Sequence, residues 1–155
     1  MTTLHAHDFA ERSPLYRRHA HATLGRLGDS VIVAHYGEHA ESAQLQRSAL
    51  IDLTNLARVG FRGAQAAEYL NAKGYQLPTA ANQALTQADG CHVARLSQNE
   101  YLLLGGLRDA GARIAREDAD WQFSEQANYL LPRQDSHAWL LLTGECIAAV
   151  MAKLC

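Results

Sequence analysis

Residues 48–70 read SALIDLTNLARVGFRGAQAAEYL, and the order of parts within them is informative. A short apolar segment, Ala49–Leu53, runs into a turn at Thr54–Asn55. A strand is predicted over Ala57–Arg62, because Ala57, Val59 and Phe61 alternate with Arg58, Gly60 and Arg62. That period of two describes a half-buried strand with a polar outer face, on which Arg58 and Arg62 point outward. Gly63 stands where a helix N-cap belongs, and glycine is accepted there. The helix that follows places Ala66, Ala67 and Leu70 on one face and Gln65 and Glu68 on another. The stretch is a packing unit, without a nucleophile motif, a metal cage or a phosphate loop.

The end of the chain repeats this arrangement. Ala138–Leu142 is an apolar strand, followed by Thr143-Gly144 and then a helix. Ile147, Val150, Met151 and Leu154 recur on one face of that helix. Thr143 can cap it, and Glu145 suits the positive end of its dipole. Gly63 and Gly144 are 81 residues apart (144 − 63). Between the two units, Cys91–Leu96 and Tyr101–Gly105 form a hairpin joined by Ser97–Glu100, and Tyr101–Leu104 is apolar enough to be an inner strand. The expected fold class is α+β, a mainly antiparallel sheet with helices and duplicated strand–Gly–helix units.

The remaining elements follow from local signals. Met1–Glu11 is a tail, and residues 12–155 form one domain. Ser13-Pro14 starts a helix running to about Leu24. Ser30–His35 is a strand rich in β-branched residues, and Glu38–Arg47 is a polar helix or turn. Ala80–Leu85 is a short helix, Asp89-Gly90 a turn, Leu107–Glu117 a helix with Leu107 and Ile114 facing inward, and Trp121–Phe123 a short strand.

Composition narrows the function. The chain has 155 residues, 48% hydrophobic and 19% charged, with a formal net charge of −2. This suits a folded domain with a core rather than a disordered segment. No basic stripe tracks a phosphate backbone, which argues against nucleic acid as a partner. No apolar run approaches the roughly 18 residues of a membrane span. Without an apolar leader at the N-terminus, the expected compartment is the cytoplasm. Cys91, Cys146 and Cys155 lack CxxC spacing and read as reduced thiols. His5, His7, His19, His21, His35 and His39 do not form a four-ligand set and read as solvated.

Asp52 is the polar residue in the run Leu50–Leu53. Buried carboxylates need partners. Asp52 therefore either bonds the backbone of the Thr54–Leu56 turn or lines a ligand cleft. Arg58, Arg95 and Tyr101 are the other candidates for ligand binding, with guanidinium groups suited to a carboxylate. Trp121 and Trp139 read as core or interface anchors.

The sequence Asp52-Leu53-Thr54, a turn, a strand, Gly63 and a small-residue helix ending in Leu70 resembles the opening of the folate-binding domain of the glycine-cleavage T-protein (aminomethyltransferase) superfamily. Within it, Arg12-Ser13-Pro14-Leu15 and the hairpin stretch 94–104, ARLSQNEYLLL, resemble the gamma subunit of heterotetrameric sarcosine oxidase. The resemblance covers residues 12–155. It implies a folate-binding-domain fold, an aspartate at position 52 characteristic of the superfamily, and tetrahydrofolate as a ligand. Flavins, NAD and oxidation chemistry would belong to larger flavoprotein subunits.

Near the hairpin, active aminomethyltransferases carry an acidic pair with the catalytic aspartate. Here the matching place reads Asp89-Gly90-Cys91-His92-Val93, with Asp89 alone. The chain is therefore expected to have no catalytic residues of its own. The expected function is a non-catalytic gamma-type subunit in one-carbon and N-methyl amine metabolism. Two alternatives stay open: a stand-alone tetrahydrofolate-binding, aminomethyltransferase-like protein, and a self-associating structural protein that has lost the ligand. By the resemblance, further strands and a helix are expected beyond residue 155, so that the chain is either a short version or finishes its second repeat with a partner.

Overall fold

The computed structural model describes residues 4–5, 12–28, 30–37 and 41–154. The readings placed on His7, Glu38, His39, Cys155 and most of the N-terminal tail lie outside the described residues. The chain divides into two compact units, residues 1–55 with 138–155, and residues 56–137.

Unit 2 is organised around β4 (Arg58–Arg62). This strand pairs antiparallel on one edge with β7 (Glu100–Leu104) and on the other with β8 (Tyr129–Pro132). With β6 (His92–Ser97) and β5 (Gln83–Thr86) it makes a five-stranded sheet of order β5-β6-β7-β4-β8. The alternation in the sequence is real, since Val59 and Phe61 are fully buried. They join Leu70 of α2 (Ala66–Ala72), Val93, Tyr101, Leu103 and Ile114 of α3 (Ala112–Asp120) in one apolar cluster. Burying each such side chain contributes about 1.5–3 kcal/mol. The outer face of β4, however, is not solvated. Arg58 and Gly60 are buried, and Leu131 and Arg133 lie over Gly60. Being flanked by β7 and β8 makes β4 an inner strand, whose second face is covered by the chain leading out of β8. Only Arg62 keeps the exposed position expected for both arginines.

Unit 1 holds a hairpin, β1 (Thr23–Leu27) with β2 (Ser30–His35), and a second pair, β3 (Ala49–Asp52) with β9 (Leu140–Thr143). Its helices are α1 (Glu41–Arg47) and α4 (Ile147–Leu154). The architecture is thus α+β with antiparallel sheets.

The duplication extends to individual hydrogen bonds. In unit 2 the Gln65 N–H donates to Ala127 O (2.9 Å), Ala66 N–H to Gly63 O (3.2 Å) and Tyr69 N–H to Gln65 O (3.0 Å). In unit 1 the counterparts of these donors, each 81 residues on, repeat the pattern: Cys146 N–H to Arg47 O (3.0 Å), Ile147 N–H to Gly144 O (3.4 Å) and Val150 N–H to Cys146 O (3.0 Å). Strand register repeats as well, with Tyr129 opposite Arg62 and Ala49 opposite Thr143. A side-chain oxygen also receives the N–H of the incoming strand in each unit, Arg58 to Gln134 Oε1 (3.2 Å) and Trp139 to Thr54 Oγ1 (3.1 Å).

Four expectations are corrected. The helix from Pro14 is one 3-10 turn, Tyr16–His19, and Thr23 onward is strand because pairing with β2 outweighs the local helix signal. Ala80–Leu85 is not a helix, since Gln83–Thr86 pairs with β6. The third helix starts at Ala112, where the Asp109 carboxylate accepts the N–H groups of Gly111 and Arg113, so Leu107 lies outside it and is exposed. Trp121–Phe123 is not a strand; the pairing partner of β4 comes later, at Tyr129–Pro132, which the sequence signals did not mark.

Candidate functional site

Asp52 ends β3 in unit 1, and its carboxylate gathers three hydrogen bonds. The Thr54 N–H donates to Oδ1 (3.0 Å), the turn bond expected of an aspartate at this place. The Ser13 hydroxyl and His19 Nε2 (3.0 Å) both reach Oδ2. Ser13 in turn accepts the Leu15 N–H (3.1 Å). With Nε2 as the donor, His19 Nδ1 is left to accept the Tyr36 hydroxyl (2.6 Å). Burial raises the pKa of Asp52, but the hydrogen bonds from Ser13, Thr54 and His19 outweigh it and hold the carboxyl below its usual range. Burial, with the charges of Asp52 and Glu41, pushes the Tyr36 phenol up.

This cluster borders a cleft of about 430 Å³, counting the solvent at its mouth. Arg12, Tyr16 and Asn55 supply its polar lining, and β2 supplies an apolar wall through Val31 and Val33. Asn55 Nδ2 donates to Val31 O (2.8 Å) and Ser30 Oγ to Asn55 O (2.6 Å), which pins the hairpin to the turn after β3. The serine, aspartate and histidine do not form a nucleophilic triad. Ser13 donates to the carboxylate and not to the imidazole, so His19 is not placed to take its proton. The arrangement is a clamp that fastens the N-terminal segment to the end of β3.

The other candidates lie in unit 2. Arg58 is buried, and its guanidinium donates to His137 O (2.5 Å) and Gln134 O. Arg95 spans a loop, donating to Thr79 O (2.9 Å) and Gln98 O (2.9 Å) while lying 5.7 Å over the ring of buried Tyr101. Arg95 and Tyr101 are thus brought together, whereas Arg58 holds the turn between β8 and residue 137.

Asp89 accepts the Cys91 N–H (3.0 Å) and pairs with Arg113 at 2.6 Å. Burial works against the charge, but the Arg113 and Cys91 hydrogen bonds prevail and hold the Asp89 carboxyl down to about 2. Arg113 also stacks 3.9 Å from the Tyr75 ring centroid. Burial pushes the Cys91 thiol up to about 12, so at neutral pH it is a thiol and not a nucleophile. Among the described residues no group of three His, Cys, Asp or Glu side chains converges on a metal position, and no helix is long and apolar enough to cross a membrane.

Sequence reasoning did not join Ser13, His19 and Tyr36 to Asp52. His19 is not the solvated side chain expected, since its imidazole is largely buried between Asp52 and Tyr36. The Asp89–Arg113 pair was also missed. These contacts cross 17 to 39 residues and leave no trace in spacing.

The described residues form an α+β fold with antiparallel sheets, and the likeness to a solved structure is one of fold. The chain is similar to the glycine cleavage system aminomethyltransferase T from Bartonella henselae, with a TM-score of 0.65 and 21% sequence identity. The alignment covers 90% of this chain and 42% of that one, so the chain spans less than half of the enzyme it matches. No protein-family model matches the chain, and no curated protein matches it at a significant level.

Proposed function

We propose that the chain is a non-catalytic, gamma-type subunit of a sarcosine oxidase-like complex, supporting larger flavin-bearing chains in the oxidation of N-methyl amines. The aminomethyltransferase-like fold supports the superfamily part of this reading, and the residues at 12–15 and 94–104 support the gamma-type part. The observation that carries it is the Asp89–Arg113 pair. Asp89 stands where the resemblance puts the catalytic carboxylate, yet its oxygens are committed to Arg113 and to the Cys91 N–H. Held down to about 2, it is a poor proton acceptor at neutral pH.

The test is expression of the chain alone and together with the large subunits of a sarcosine oxidase from the same genome. The expected result is a stoichiometric complex in the second case and, in the first, no turnover of sarcosine and no aminomethyl transfer to tetrahydrofolate. Aminomethyl transfer by the isolated chain, abolished in Asp89→Asn, would overturn the proposal.

A second reading is favoured by the cleft beside Asp52. Arg12 lines this cleft, and its guanidinium suits the glutamate carboxylates of a folate. A saturable rise in melting temperature with tetrahydrofolate or 5-formyl-tetrahydrofolate would support this reading, and no rise at saturating concentrations would remove it.

A further inference from the structure

Asp52, His19 and Tyr36 are joined in the order that activates a hydroxyl. The His19 ring lies between two partners, with Nε2 3.0 Å from the Asp52 carboxylate and Nδ1 2.6 Å from the Tyr36 hydroxyl. An ionised carboxylate only accepts, so in the neutral ring it fixes the hydrogen on Nε2 and leaves the Nδ1 lone pair facing the phenol. A hydroxyl on one ring nitrogen and a carboxylate on the other is the connectivity of a serine–histidine–aspartate triad, with a phenol in the place of the serine. Exposure is graded along the chain of bonds. The Asp52 and His19 side chains are 6% and 16% exposed and Tyr36 is 45% exposed, so a reagent reaches the hydroxyl while the groups behind it are shielded. The main chain of Tyr36 is held as well, because its N–H donates to the Glu41 carboxylate at the start of α1.

We propose that Tyr36 is a nucleophile that accepts an acyl group from small esters with good leaving groups, with His19 as its general base and Asp52 as a positioning residue. The phenol oxygen attacks the acyl carbon as His19 Nδ1 takes the phenol proton. The bond from the acyl carbon to the leaving oxygen breaks, the departing oxygen or water receives that proton, and Tyr36 carries the acyl group. The phenol is not ionised at rest. Burial and the charges of Asp52 and Glu41 keep its proton on, as a serine hydroxyl keeps its own, and the base removes it during attack. The Asp52 charge that opposes a free phenolate also stabilises the imidazolium formed beside it. The Tyr36 N–H is committed to Glu41 and does not serve as an oxyanion donor, which restricts the site to esters that cleave readily. This chemistry depends on neither the accessory-subunit reading nor the folate reading.

Acetylation of the full chain by 4-nitrophenyl acetate, followed at each tyrosine by peptide mass spectrometry, tests the proposal. Tyr129 is the internal control, since it is 48% exposed and its hydroxyl makes no hydrogen bond to a histidine among the described residues. Tyr36 should acetylate about a hundredfold faster than Tyr129, the lower end of what a positioned base supplies. His19→Gln should bring Tyr36 down to the Tyr129 rate, and Asp52→Asn should slow it by releasing the ring from its working orientation. Ser30→Ala is the structural control. It removes the bond from Ser30 to Asn55 O, which pins the strand leading to Tyr36, but touches neither ring, so the Tyr36 rate should not change. Similar rates at Tyr36 and Tyr129 would overturn the proposal. So would a fast Tyr36 that is unmoved by His19→Gln or by Asp52→Asn, because exposure and not the base would then set the rate. A Tyr36 slowed as much by Ser30→Ala as by His19→Gln would overturn it too, since the loss would then report folding alone.

Discussion

Arg58 spends its charge inside the protein. Its guanidinium is buried and closes the Gln134–His137 turn, so removing it takes the donors from two carbonyls. Arg58→Met is expected to lower stability by about 2–4 kcal/mol in urea unfolding, and Arg58→Lys to recover little of it, because one ammonium does not reproduce a fork. Asp52 and Asp89 set the acid limb of stability. Both carboxyls have lowered values in the folded state, so the unfolded chain binds protons more readily. The stabilisation is therefore complete above the ordinary carboxylate range and is lost as pH falls through the folded values. For Asp89 that window runs from about 3.8 down to about 2. Melting temperature measured against pH should show a shallower acid fall in Asp89→Asn and in Asp52→Asn than in the unchanged chain. Residue identity announced Asp52 as a buried carboxylate needing partners. It did not announce Ser13 and His19, because proximity across 39 and 33 residues is made by the fold.

Glycine marks the same joint in both strand–Gly–helix units, and the reason is close approach. Gly63 has φ +149°, and a Cβ built there would lie 2.0 Å from Ala127 O. Gly144 has φ +109°, and its Cβ would lie 2.6 Å from the carbonyl carbon of Arg47. Gly63→Ala and Gly144→Ala should each cost about 2–4 kcal/mol by thermal or urea unfolding, since main chain has to move. The two losses differ in reach: Gly63→Ala strikes the five-stranded sheet, and Gly144→Ala the β3–β9 pair. The repeated glycines and the apolar helix faces were legible in sequence because each is a local pattern with a fixed period. The short strands β5 and β8 were not. Gln83–Thr86 is wholly exposed and Tyr129–Pro132 carries a proline, so only their partners make them strands.

At the scale of the molecule, the two units differ in how the chain enters them. Unit 2 is one continuous stretch, whereas unit 1 joins residues from both ends. The antiparallel, duplicated plan could be read from the strand–Gly–helix repeat. The assignment of β3 to β9, and not to β4, could not, because nothing in a strand's own sequence names a partner about 90 residues away. Pairs so distant pay a larger loop-closure entropy and form late. Pulse-labelled hydrogen exchange during refolding should therefore protect Val59, Phe61, Val93 and Leu103 before Ile51, and simultaneous protection of all five would contradict this order.

The β3–β9 pair also has a consequence during translation. Ala49–Asp52 leaves the ribosome before Leu140–Thr143 exists, so β3 waits unpaired while the residues between them are made. Domains otherwise tend to settle from the N-terminus onward as they are made. Here the middle of the chain is complete first, and β3 is secured only when β9 has been added. A message cut short before codon 140 would release a product with its central sheet available to form and its β3 edge exposed, a species suited to capture by chaperones or removal by proteases.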